Sequence, residues 1–300
     1  MGHLATIFPA MRQRQLPLSR AQVIMLMAAF NEIMLGLDTY LAHVLNNTIL
    51  LREWIPILFG FGSGIVLLLA GLIAIKNRPL ASWLATIVFV LSIVVGVLGA
   101  YFHFVRGTLP SAPVGSRVTL SLLIWAPPIL APFAFAGIGV VGLSAAWIED
   151  PINSGIIRPP FGGRIRLPYS KTRGYFFLVS FGILAALVSS VLDHARHGFE
   201  NPWLWLPLGI GVFATVVSAG IGGVKGELNR GDIWTYTLAM VLLILVGMLG
   251  TWFHVQANFI GTSTIVAERF LRGAPFLSPL LYSNMGLLGL MVLLPPGTDG

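Results

Sequence analysis

Eight stretches of the chain, near residues 23–44, 55–75, 83–105, 118–147, 174–194, 203–224, 233–255 and 275–295, run for about 20 residues or more with almost no charge. A helix rises about 1.5 Å per residue, so each is long enough to cross a hydrocarbon core about 30 Å thick. Inside lipid only helices and closed barrels satisfy every backbone N–H and C=O, and barrel strands are roughly half this length. The chain therefore reads as an all-α integral membrane protein with eight transmembrane helices. Its composition, 56% hydrophobic and 10% charged, carries more apolar surface than one soluble core hides. The first 20 residues are polar and basic without the hydrophobic core of a cleavable signal, so the first span is expected to stay in place.

Charge predicts an orientation. With a cytoplasmic N-terminus, 12 of the 18 Lys and Arg lie on inner segments: Arg12, Arg14, Arg20, Lys76, Arg78, Arg158, Arg164, Arg166, Lys171, Arg173, Lys225 and Arg230. By the positive-inside rule both termini are expected in the cytoplasm, with a bacterial inner membrane as the setting. The net charge of +7 then reflects orientation and anionic lipid, since no aromatic-basic module for nucleic acid is present. The absence of cysteine excludes thiolate-held iron–sulfur clusters and covalently attached c-type haem, and leaves imidazole ligation open.

The chain also matches itself. Shifted by 151 residues, Leu41–His103 aligns with Leu192–His254 without a gap, and 18 of 63 positions are identical. The matches include Trp54 with Trp205, Pro56 with Pro207, Gly60 with Gly211, and the ending GVLGAYFH with GMLGTWFH. After a change of four residues in loop length, Pro128, Pro132, Gly139 and Gly142 meet Pro275, Pro279, Gly286 and Gly289. The economical reading is a tandem duplication of a four-helix unit. Because four is even, the two units enter the membrane from the same side as parallel repeats. The expected organisation is a first unit over 1–147 with a basic cytoplasmic N-terminus, a Pro, Gly and Arg-rich cytoplasmic linker over 148–173, and a second unit over 174–300.

Four of the six histidines obey the same offset: His43 with His194, and His103 with His254. Topology places them at the outer ends of the first and third helices of each unit. Gly99 and Gly250 stand four residues before His103 and His254, with Gly96 and Gly247 one turn deeper, which clears a helix face. Thr39 and Ser190 stand four residues before His43 and His194, placed to hydrogen-bond the imidazoles. Facing imidazoles, small residues and the nearby Arg52, Arg106, Arg117, Arg196, Arg269 and Arg272 suit bis-imidazole haem b or a quinone head group. A non-haem copper or iron ion on the same four histidines is a further expectation. The plainer alternative is an aromatic belt at the headgroup level, with the glycines serving helix packing.

Three carboxylates add asymmetry. Asp38 lies just over one turn from His43, Asp193 directly precedes His194, and their repeat partners are Ser189 and Ala42. Both are candidate proton acceptors. Glu32, deep in the first span and opposite Ile183 of the repeat, is expected to be protonated and hydrogen-bonded, or to line a wet path. Glu32, Thr39 and His43 fall within about 40° of one helix face, a possible proton track, with Asn31 and Asn284 as candidate partners of the acid.

The plan of two four-helix units with polar residues near one surface is similar in architecture to quinol-interacting membrane anchors of the polysulfide-reductase kind, although no sequence motif marks that family. The expected function is a membrane redox subunit within a larger complex, exchanging electrons between the quinone pool and an extracytoplasmic redox protein. Glu32, Asp38 and Asp193 would handle protons, and the four histidines would hold the cofactor. Two other classes fit the same residues: a proton-coupled transporter of a small molecule or metal ion, and a structural or assembly subunit.

Overall fold

The computed structural model describes residues 3–7, 17–44, 49–259, 261 and 264–296, and is mostly helical. A short turn α1 (Leu4–Ile7) precedes α2 (Arg20–Val44), α3 (Trp54–Ala74), α4 (Arg78–Arg106), α5 (Leu120–Trp125) and α6 (Phe133–Ala146). Three short strands follow, β1 (Ile148–Glu149), β2 (Ile156–Arg158) and β3 (Ile165–Arg166). The remaining helices are α7 (Lys171–Ala195), α8 (Trp205–Gly223), α9 (Arg230–Phe259), α10 (Ala267–Arg272) and α11 (Leu280–Val292).

Among the described residues six helices are long and apolar enough to span a bilayer: α2, α3, α4, α7, α8 and α9. They define a multi-pass membrane protein. Their outward faces are greasy: Leu58, Ile65, Leu69 and Leu72 of α3 are each more than half exposed, on a helix without any ionisable residue. Lipid is the solvent such a surface requires.

The segments 118–147 and 275–295, expected as fourth spans, are instead broken. Pro127, Pro128 and Pro132 separate α5 from α6, and Pro275 and Pro279 separate α10 from α11, because proline lacks the N–H that continues a helix. What remains are helices of 14 and 13 residues. At about 1.5 Å per residue they measure about 20 Å, and the proline stretches before them extend the path along the bundle: Pro128 is level with His103 and Trp147 with Thr86, 17 residues apart on α4.

Within the first half α3 packs on α2 and α4, and α6 on α2 and α4; within the second α8 packs on α7 and α9, and α11 on α7 and α9. Glycines set the distances. A Cβ on Gly60 would lie 2.6 Å from Gly36 Cα, so α2 and α3 touch backbone to backbone. A Cβ on Gly139 would meet Phe89 O at 2.6 Å, and one on Gly286 would meet Met240 O at 2.5 Å, so α6 and α11 nest on α4 and α9 in the same way.

The seam between the halves pairs the first helix of each with the last helices of the other: α2 with α10 and α11, α7 with α5 and α6. Two buried cations close it. Arg20 Nη1 donates to Thr172 Oγ1 (3.0 Å) and to Val292 O (3.2 Å) at the end of α11. Lys171, 151 residues later, donates from Nζ to Trp147 O (2.8 Å) just past α6. Each positive group sits at the negative end of a helix from the opposite half. The linker over 148–173 holds an antiparallel sheet in the order β1-β2-β3. Glu149 secures it, accepting from Gly155 N (2.8 Å) and from Lys171 N (2.9 Å) at the start of α7.

Candidate functional site

Helices α2 and α4 run the same way and end at the same face, which brings the rings of His43 and His103 to 6.2 Å between centroids. Helices α7 and α9 do the same for His194 and His254, at 6.4 Å with the rings nearly perpendicular. The pairs close within each half, a choice that the sequence left open. Both lie at one end of the bundle: Arg196, two residues past His194, donates to Ile124 O (2.8 Å) and Ala126 O (3.1 Å), beside Gly107 at the end of α4.

The prolines orient the imidazoles. In a continuous helix Pro128 O would accept from the N–H of residue 132, but residue 132 is proline and has none. The carbonyl keeps a weak turn contact from Ala131 N (3.2 Å) and has room for His103 Nδ1, at 2.9 Å. The arrangement recurs in the second half, where Pro279 leaves Pro275 O free for His254 Nδ1 at 2.9 Å. His43 Nδ1 meets Thr39 O of its own helix at 2.8 Å. A carbonyl only accepts, so all three rings carry the proton on Nδ1 and present an Nε2 lone pair. Thr39 thus contributes its backbone and not the expected hydroxyl to His43, and the ring of His194 makes no hydrogen bond among the described residues.

Gly99 and Gly250 pack against the prolines of the fourth helices. A Cβ on Gly99 would lie 2.7 Å from Pro132 Cβ, and one on Gly250 would lie 2.9 Å from Pro279 Cβ. The proline rings that break the fourth helices lie on the faces of both glycines. Among the described residues no three His, Asp or Glu side chains converge as metal ligands.

One carboxylate attends each pair, and one of them escaped the sequence reading. Glu53, in the turn leading into α3, is buried, accepts from Leu50 N (2.9 Å), lies 3.9 Å from Arg106 and is near enough to His103 to act on its charge. The only trace of it in sequence is an acid at the mouth of a span. Asp193 lies near His254 and 3.8 Å from Arg196. Asp38 is half-buried and makes no hydrogen bond or ion pair among the described residues. A cleft of about 240 Å³, lined by Arg106, Gly107, Leu122, Trp125, Ala126 and Pro127, opens beside the first pair.

Glu32 stands apart from this face. It is fully buried and bonded sideways, to Ser63 on α3 (3.0 Å) and Ser92 on α4 (2.5 Å), two residues that sequence reasoning missed. Comparing the halves was the available signal: at the 151-residue offset Glu32, Ser63 and Ser92 face Ile183, Ala214 and Leu243. Asn284, expected as a partner of the acid, instead accepts from Asn31 Nδ2 (3.2 Å) across the seam. Between Glu32 and His43 on the same helix face, Gly36 is pressed against Gly60, and no chain of hydrogen bonds joins the two among the described residues. Comparison with protein-family models, with curated proteins and with solved structures finds no match.

Proposed function

We propose that the protein is a membrane redox subunit that binds a quinone head group at its histidine pairs and passes electrons to an extracytoplasmic redox partner. The supporting observation is the pair itself: two imidazoles per half, facing each other at one end of the bundle. Three of the four are fixed by backbone carbonyls so that Nε2 is the free, basic nitrogen. A quinol hydroxyl can give its proton to such a nitrogen. The Nδ1–H···O=C bond and the neighbouring Glu53 or Asp193 then favour the imidazolium. The electrons leave to the partner protein. On this reading the protein is a duplicated pair of parallel four-helix units with both termini in the cytoplasm, and each unit carries one copy of the site.

The test is binding of a short-tailed quinone to the purified protein in nanodiscs, followed by quenching of tryptophan fluorescence. Replacing both histidines of one pair with Ala (His43 with His103, or His194 with His254) is expected to halve the number of bound quinones, and replacing all four to weaken binding at least about tenfold, the loss of one charge-assisted hydrogen bond per site. No binding to the unmodified protein, or undiminished binding to the variant lacking all four, rejects the reading. The transporter alternative draws its support from a different place, the buried acid Glu32, which exists in one half only.

A further inference from the structure

Glu32 is 0% exposed, and the helices around it offer no counter-charge. Helices α3 and α6 contain no ionisable residue. Those of α4 are Arg78, Tyr101, His103 and Arg106, all toward its ends, and those of α2 besides Glu32 are Arg20, Asp38, Tyr40 and His43. None is hydrogen-bonded to the acid. Its partners are two hydroxyls, and each hydroxyl also faces a backbone carbonyl: Ser63 Oγ lies 3.0 Å from Oε2 and 3.1 Å from Gly60 O, and Ser92 Oγ lies 2.5 Å from Oε1 and 2.8 Å from Phe135 O.

The hydrogens can be counted. Two hydroxyls supply two hydrogens to four contacts, so a carboxylate leaves the cluster one short on each side. A third hydrogen on Oε1, donated to Ser92 Oγ, releases the Ser92 hydrogen to Phe135 O, while Ser63 donates to Oε2. Every short contact to the acid is then made. Oxygens this close leave no room for a metal cation between them, and the cation that fits is a proton.

The second half supplies an internal control. Ile183, Ala214 and Leu243, at the corresponding positions, are each 0% exposed, so the same helix arrangement closes over an apolar core. The polar cluster is not required for packing, and burying it costs free energy that the second half avoids. The site is also sealed on both sides along α2. One turn toward the histidines Gly36 meets Gly60, and toward the other end a Cβ on Gly64 would lie 2.7 Å from Ala29 O.

We propose that Glu32, Ser63 and Ser92 form a proton-binding site in the membrane core, confined to the first half, that holds its proton in an occluded state and exchanges it when α2 parts from α3 and α4. The site does not depend on the histidine pairs binding quinone.

Infrared spectroscopy of the protein in nanodiscs tests this. A carbonyl-stretch band of a protonated carboxyl is expected at neutral pH, lost in Glu32→Gln and displaced in Ser92→Ala, which serves if the Gln variant does not insert. In D2O the band is expected to shift more slowly than the amide protons of exposed loops, and to completion. Absence of any such band attributable to Glu32 overturns the proposal, because the acid is then ionised. A band that never shifts in folded protein overturns it too, because an acid that does not exchange its proton is structural.

Discussion

At the residue scale the most informative feature is a hydrogen bond that a missing one makes possible. Pro132 and Pro279 have no N–H, and the carbonyls four residues earlier are taken by His103 and His254. The geometry answers why these histidines occur twice: each pins a broken helix and is itself turned to present Nε2. His103→Ala is therefore expected to cost about 0.5–1.5 kcal/mol of stability. Adding Pro132→Ala should recover part of the loss, since the restored N–H can satisfy Pro128 O. Thermal unfolding of the two single variants and the double variant in detergent measures the coupling, and purely additive effects would refute this account. The sequence shows the recurrence of these residues, but not their partnership, because the partners are 25 and 21 residues apart on different elements.

At the element scale glycines decide where helices touch and where they face lipid, and spacing alone does not separate the two. Gly60 and Gly62 lie on one helix, yet a Cβ on Gly60 would meet Gly36 N at 2.6 Å and Glu32 O at 2.7 Å, while one on Gly62 meets nothing within 4 Å. Gly60→Ala is expected to destabilise by about 1–3 kcal/mol through forced separation of α2 and α3. Gly62→Ala should be neutral or stabilising by up to about 1 kcal/mol, from helix propensity. Unfolding midpoints of the two variants check this, and equal shifts would refute the packing described. The same scale explains why eight apolar runs yield only six helices, among the described residues, that are long and unbroken enough to span a bilayer. Hydropathy sums side chains and does not register that Pro128 and Pro132, or Pro275 and Pro279, interrupt the backbone.

At the scale of the whole molecule two halves meet with exchanged clasps, Arg20 on the end of α11 and Lys171 on the end of α6. Both cations lie at the end opposite the histidines, together with the three-stranded linker sheet and its Arg158, Arg164 and Arg166. Two of the twelve cations behind the charge bias therefore serve the seam, and the positive-inside rule expects the face that carries them in the cytoplasm. Cysteines at Leu109, beyond the His103 end of α4, and at Arg164, in the linker, are expected to react with an impermeant maleimide from opposite sides, the first from outside the cell. Labelling of position 109 from the cytoplasm would invert the orientation and with it the extracytoplasmic partner.

The sequence by itself determined the solvent, the helical class and the places where the two halves correspond, because hydropathy and residue identity are properties of short stretches that survive any arrangement of the helices. It also singled out the four histidines and Glu32. The tertiary structure alone decided that the histidines pair within each half, that proline rings occupy the faces of Gly99 and Gly250, and that Glu32 turns to Ser63 and Ser92 rather than toward Asn284 or His43. Each of these depends on how far one helix is rotated and slid against another. Backbone contacts such as Gly36 against Gly60 fix that rotation, and they join residues that no local pattern connects.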